Sequence, residues 1–188
     1  MSLILRHKAT EFGLNINSQG LVNVVEFLEF VNKQKGLESV TMKDIHQVVI
    51  NCNKQRFKLT EIDDQLYISA NQGHSIELVT ADRREVKDSS EIPICIHGTN
   101  KAAISLIMDS GGLSKMNRND IHMASALPES GDVISGMRKS SNVVVWIDVD
   151  KAMAQGIKFF ISNNGVILSP GNEYGYIPSS CFKKVTYR

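Results

Sequence analysis

Six short stretches of this 188-residue chain carry side chains able to handle phosphate or protons. The first is Leu5-Arg6-His7-Lys8. An arginine fork binds a phosphate through two parallel hydrogen bonds, and a histidine beside it exchanges protons near neutral pH. On a helix the two side chains diverge by about 100° and reach a ligand from two sides. Lys54-Gln55-Arg56-Phe57 places a second arginine at the start of an alternating segment. Gln72-Gly73-His74-Ser75 groups polar and turn-forming residues. His97-Gly98-Thr99 has a glycine that would let a ligand approach the backbone. In Arg118-Asn119-Asp120-Ile121-His122 alternation would put Arg118, Asp120 and His122 on one strand face. Ser135-Gly136-Met137-Arg138 brings an arginine up to an apolar run. On residue type alone each fits a solvated edge or a structural histidine as well as a binding group.

The elements that must position these residues change character along the chain. Val24, Phe27, Leu28 and Val31 repeat at helical spacing. Thr41 with Asp44 predicts a capping box opening a helix whose apolar stripe is Ile45, Val48 and Val49. Phe57 to Thr60 and Leu66 to Ala70 then alternate around Asp63-Asp64, which predicts a β-hairpin. Helices followed by a hairpin is the order of a small winged-helix module. The charged stretch 81–92, ending before Pro93, predicts a linker between a lobe at 1–80 and a lobe at 93–188. The second lobe reads as β-rich. It has a short strand before His97, a helix over Lys101 to Ser110, a buried strand over Val143 to Ile147, and a short helix stopped by Gly156. Two further strands flank Asn163-Asn164-Gly165, a strong hairpin signal. The expected class is α+β.

Composition excludes several functions. A net charge of +1 gives no bulk attraction to nucleic acid, so an anion site must come from a few clustered cations. Cys52, Cys95 and Cys181 are odd in number and widely spaced, which predicts three reduced, buried thiols rather than disulfides or a zinc site. The five histidines are scattered, so no metal site is expected. No glycine-rich phosphate loop occurs. No apolar run approaches the ~20 residues that span a bilayer, and the first residues are too short for a secretory signal. An intracellular protein, cytoplasmic or nuclear, with no membrane partner is expected.

Taken together and in order, these segments resemble the tRNA 2′-phosphotransferase family, close to its eukaryotic branch. The resemblance rests on Leu5 to Lys8 with Gly13-Leu14, on Gln55-Arg56-Phe57, and on Ala70-Asn71-Gln72-Gly73-His74-Ser75. It continues through His97-Gly98-Thr99, Arg118 to His122, Ser135 to Arg138 and Asn164 to Asn172. It departs at Gly20-Leu21, where the family has Gly-Trp, and at Ser69, where the family has arginine.

The resemblance implies a winged-helix lobe followed by an ADP-ribosyltransferase lobe. It implies transfer of an internal RNA 2′-phosphate, left at a tRNA splice junction, to ADP-ribose, with NAD as co-substrate and no metal. The products are 2′-OH RNA, nicotinamide and ADP-ribose 1″,2″-cyclic phosphate. The implied catalytic group is Arg6, His7, Arg56 and Arg138. His97, Gly98, Thr99, Arg118, His122, Asn164, Gly165 and Val166 would hold NAD, and Gln72 and His74 would contact the RNA. The implied partner is a 2′-phosphorylated tRNA bound by a monomer. An ADP-ribosyltransferase capping terminal RNA or DNA phosphates keeps the same fold and is the alternative. A non-catalytic RNA-binding module fits less well, because the NAD-lobe motifs are intact.

Overall fold

The computed structural model describes residues 1–128, 137–138 and 140–188. Ser135 and Gly136 of the expected arginine motif lie outside the described residues. The chain divides into two compact units, Met1–Asp82 and Arg83–Arg188, and is of mixed helix and strand, as the α+β expectation holds.

The first unit opens with a π-helix over Ile4–Lys8, followed by strand β1 (Val22–Asn23) and helix α1 (Val24–Asn32). Helix α2 (Met42–Ile50) and the hairpin of β2 (Phe57–Ile62) and β3 (Gln65–Ala70) complete it. Val22 and Asn23 pair with β3 instead of extending the helix. Asn23 then caps α1 by accepting a hydrogen bond from the Val25 amide. The predicted capping box of Thr41 and Asp44 forms. Along α2, Ile45 is buried and Val49 packs on the core, whereas Val48 is exposed, so the stripe is narrower than predicted. Asp63 and Asp64 both take left-handed φ values, 49° and 59°, which suits a two-residue hairpin turn. The three-stranded sheet runs β1-β3-β2, and Leu5, Val22, Val24, Phe27 and Ile68 centre the core.

The second unit has a sheet of order β4-β9-β10-β7, another of order β12-β8-β5, and the pair β11-β6. Strand β4 (Arg83–Glu85) pairs with β9 (Lys158–Ser162). A 3-10 turn follows at Ser89–Glu91. Much of the stretch expected as a linker is therefore ordered backbone of this unit, because its missing apolar period is replaced by main-chain pairing to β9. Strands β5 (Ile96–Thr99), β8 (Val143–Ile147) and β12 (Phe182–Tyr187) form the second sheet. Helix α3 spans Lys101–Asp109 and α4 spans Val149–Ala154. Strand β6 (Gly112–Ser114) pairs with β11 (Tyr176–Pro178). Strand β7 covers only Ile121–Met123 and pairs with β10 (Ile167–Gly171). Arg118 instead sits in a turn, its amide donating to the Lys115 carbonyl at 3.1 Å, so the predicted common face of Arg118, Asp120 and His122 does not form. Main-chain bonds in both directions between Ile96 and Ala124 (3.0 and 2.8 Å) stitch the two larger sheets together. Cys95 and Cys181 are buried as expected, but Cys52 is only half-buried.

Among the described residues no helix is long and apolar enough to cross a membrane.

Candidate functional site

In the first unit one loop, Asn71 to Ser75, holds three of the expected catalytic residues. Arg6 donates from Nη2 to Gln72 Oε1 at 2.9 Å. His7 Nδ1 lies 2.9 Å from Ser75 Oγ, and the Ser75 amide donates to the Arg6 carbonyl at 2.9 Å. The Asn71 amide donates to the Arg56 carbonyl, also at 2.9 Å, while the Asn71 side chain donates to the Gln55 carbonyl. Gln55 has φ +43°, an uncommon value for a non-glycine residue, and Asn71 braces it there. Arg56 donates from its amide and from Nη1 to Cys52 Sγ at 3.4 and 3.6 Å. Burial pushes the Cys52 thiol up, but hydrogen bonds from Arg56 and the Lys54 amide, with the Arg56 charge, together hold it below its ordinary range. Gly73 has φ +90°, and a Cβ there would lie 3.5 Å from Arg6 Cζ, so the loop turns directly against the guanidinium.

Gln72 and His74, expected to contact RNA, are both buried. Gln72 accepts from Arg6 and so orients it. His74 is 4% exposed and packs where Gly20 has no side chain, an added Cβ there lying 3.2 Å from Nε2. Burial, reinforced by the charges of Arg6 and His7, lowers its pKa to about 4, so it is neutral at pH 7. Ser69, at the family's arginine position, is also buried.

In the second unit, His97 Nδ1 lies 2.9 Å from the His122 carbonyl. A carbonyl only accepts, so Nδ1 carries the proton. Burial lowers the His97 pKa, partly offset by this bond. The neutral ring therefore presents Nε2 as an acceptor, suited to a ligand hydroxyl. Thr99 is half-buried at the end of β5. The space Gly98 leaves is filled rather than open. A Cβ there would fall 2.3 Å from Met137 Cγ and 2.8 Å from Ser141 Oγ. Gly98 thus seats Met137, and Arg138 follows it, exposed. Asn164 is buried, its Oδ1 accepting from Ser162 Oγ at 2.8 Å, while the Val166 amide donates to the same hydroxyl at 3.0 Å. Gly165 lies between them with φ +75°. Arg118 is exposed.

Sequence reasoning missed a largely shielded ion pair. Arg83 and Asp120 are 2.6 Å apart and largely shielded, and the Arg83 guanidinium lies 4.0 Å from the Phe160 ring centroid. No spacing signal links positions so far apart. Ser75 and Asn71 stood inside a noticed motif, but nothing in their order indicated which neighbour each would hold. Among the described residues no cluster of three or more His, Cys, Asp or Glu could hold a metal ion.

Residues 1–171 match the family described as RNA 2′-phosphotransferase, Tpt1 / KptA family. The chain belongs to that family. It is 44% identical over 188 residues to a protein of Danio rerio named tRNA 2′-phosphotransferase 1, covering 98% of this chain and 81% of that one. It is 36% identical over 194 residues to the tRNA 2′-phosphotransferase of Saccharomyces cerevisiae, covering 100% and 81%. A Probable RNA 2′-phosphotransferase of Rhizobium johnstonii is 32% identical over 181 residues, covering 94% and 89%. The protein is thus an enzyme of the RNA 2′-phosphotransferase family, and the residues gathered by the Asn71 to Ser75 loop fall within the matched span.

Proposed function

We propose that the protein transfers an internal 2′-phosphate of spliced tRNA to ADP-ribose, using NAD as co-substrate. The observation that carries this reading is the tethering of Arg6, His7 and Arg56 to one loop. Arg6 and Arg56 supply fixed cationic donors where a phosphate dianion must be held, and preorganised donors of this kind are worth most where charge develops. The reading treats 1–80 as a winged-helix lobe for RNA and its 2′-phosphate, 81–92 as the connection, and 93–188 as an ADP-ribosyltransferase-like lobe. The chain order of helices, β1, α1, α2 and the β2-β3 hairpin supports the first assignment.

In the first step a 2′-phosphate oxygen bonds to C1″ of the nicotinamide ribose as the C1″–N bond breaks, and nicotinamide leaves with the electron pair. In the second, ribose O2″ attacks phosphorus, and the bond from phosphorus to the RNA 2′-oxygen breaks. His7 gives its proton to the departing 2′-oxygen, and the O2″ proton is lost to solvent. The arginines, with Arg138 among them, offset the charge of the five-coordinate phosphorus. On the NAD side, His97 Nε2 accepts a hydrogen bond from a ribose hydroxyl, with Thr99 and His122 beside it. Asn164, Gly165 and Val166 bound the nicotinamide, Arg118 meets the pyrophosphate, and Gly98 contributes through Met137.

Incubating the protein with NAD and a 2′-phosphorylated oligonucleotide, with products identified by mass, tests this. Loss of the 2′-phosphate with release of nicotinamide and ADP-ribose 1″,2″-cyclic phosphate is expected. A 2′-phosphate left in place while a 5′-phosphorylated strand gains ADP-ribose would establish terminal-phosphate capping instead.

A further inference from the structure

We propose that Ser75 is a positioning residue for His7, fixing its ring so that Nε2 is the nitrogen that exchanges a proton with substrate. The inference rests on the reading above, in which His7 carries a proton. Ser75 Oγ lies 2.9 Å from His7 Nδ1, and Ser75 is itself held by the hydrogen bond that its amide donates to the Arg6 carbonyl. The residue that holds the backbone of Arg6 therefore holds the ring of the next residue. In the imidazolium both ring nitrogens are donors, so Ser75 Oγ must accept from Nδ1. When Nε2 gives up its proton, that same bond retains the proton on Nδ1. The neutral ring is then the Nδ1–H tautomer, ready to be reprotonated at Nε2. Without the hydroxyl, Nδ1 loses this acceptor and the bias toward the Nδ1–H tautomer is lost with it.

Gln72 plays the parallel part for Arg6, yet the two differ in kind. Gln72 orients a charge that never changes. Ser75 orients a group whose function depends on which atom holds the proton.

The test is nitrogen-15 NMR of the histidine-labelled full chain, read above the titration of His7 and assigned with His7→Gln. The wild type is expected to show His7 with the proton on Nδ1, and Ser75→Ala to show a mixture shifted toward Nε2–H. Ser75→Thr, which keeps the hydroxyl, is expected to retain the wild-type spectrum. In turnover, Ser75→Ala should lower kcat on the order of tenfold, the scale of one hydrogen bond, with KM for NAD unchanged. An unchanged His7 spectrum in Ser75→Ala overturns the proposal, as does an effect confined to KM. Should Ser75→Ala fail to fold, Ser75→Cys preserves the volume, weakens the acceptor and decides the same spectral question. The spectra need no substrate. If the wild type fails to remove a 2′-phosphate, the functional reading falls while the role of Ser75 is still decided.

Discussion

The two units hold their candidate side chains in opposite ways. In the first, Arg6, His7 and Arg56 depend on polar bonds from one short loop. In the second, His97 is held by a bond to a main-chain carbonyl, Gly98 by the packing of Met137, and Asn164 by a turn laced through Ser162. The Arg6 and His7 contacts can each be undone by changing one polar side chain, Gln72 or Ser75. In the second, the site geometry and the fold are the same set of contacts, so disturbing one disturbs the other.

The strongest challenge to this contrast is Asp120→Asn. It leaves the Arg83 charge unpaired and largely shielded, and should destabilise the second unit by about 3–5 kcal/mol in denaturant unfolding. A loss below 1 kcal/mol would mean the pair is solvated. Next, Arg56→Ala should cost on the order of 10²–10³ in turnover, the scale of a lost preorganised donor. Its thermal unfolding should stay near that of the wild type. A large drop in Tm would place the first-unit residues in the same category as the second. Third comes acid sensitivity. His74 has a folded pKa of about 4 against an ordinary 6.5, so the unfolded chain binds that proton first. The stability tied to neutral His74 is complete above pH 6.5 and is lost as pH falls toward 4, on the order of 3 kcal/mol in total. His74→Gln should flatten that part of the curve, and identical slopes would refute the assignment. Smallest is Thr41→Ala, which removes the α2 cap and should cost about 1 kcal/mol with kcat unchanged.

The sequence-level reading succeeded where the controlling physics is local. Thr41 and Asp44 sit three residues apart and cap one helix turn. Asp63-Asp64 can adopt the φ values the hairpin needs, and Asn163-Asn164-Gly165 turns β9 into β10. It fell short where a partner lies far along the chain. Arg83 is one of several charges in its stretch until Asp120 is brought to it. Gln72 and His74 look like surface groups until the loop folds back over Arg6. Gly98 reads as an opening for a ligand, yet Met137, 39 positions on, fills it. Of the candidate site, the residue types were legible, while their division into groups that face substrate and groups that stand behind them was not.

The π-helix at Ile4–Lys8 bears on how this chain can vary in length. A π-turn closes its hydrogen bonds over one residue more than an α-turn does. Deleting a single residue there would let the backbone relax into an ordinary α-helix. A π-turn fits one extra residue into nearly the same rotation as an α-turn, so the chain beyond the deletion would keep its facing while the side chains inside Ile4–Lys8 were redistributed around the axis. Arg6 and His7 lie inside that segment, so their directions toward Gln72 and Ser75 would change even though no polar group had been lost. The segment is therefore guarded by residue count as well as by residue identity. Conservative substitutions at Ile4 or Lys8 should be absorbed, while insertions and deletions should not.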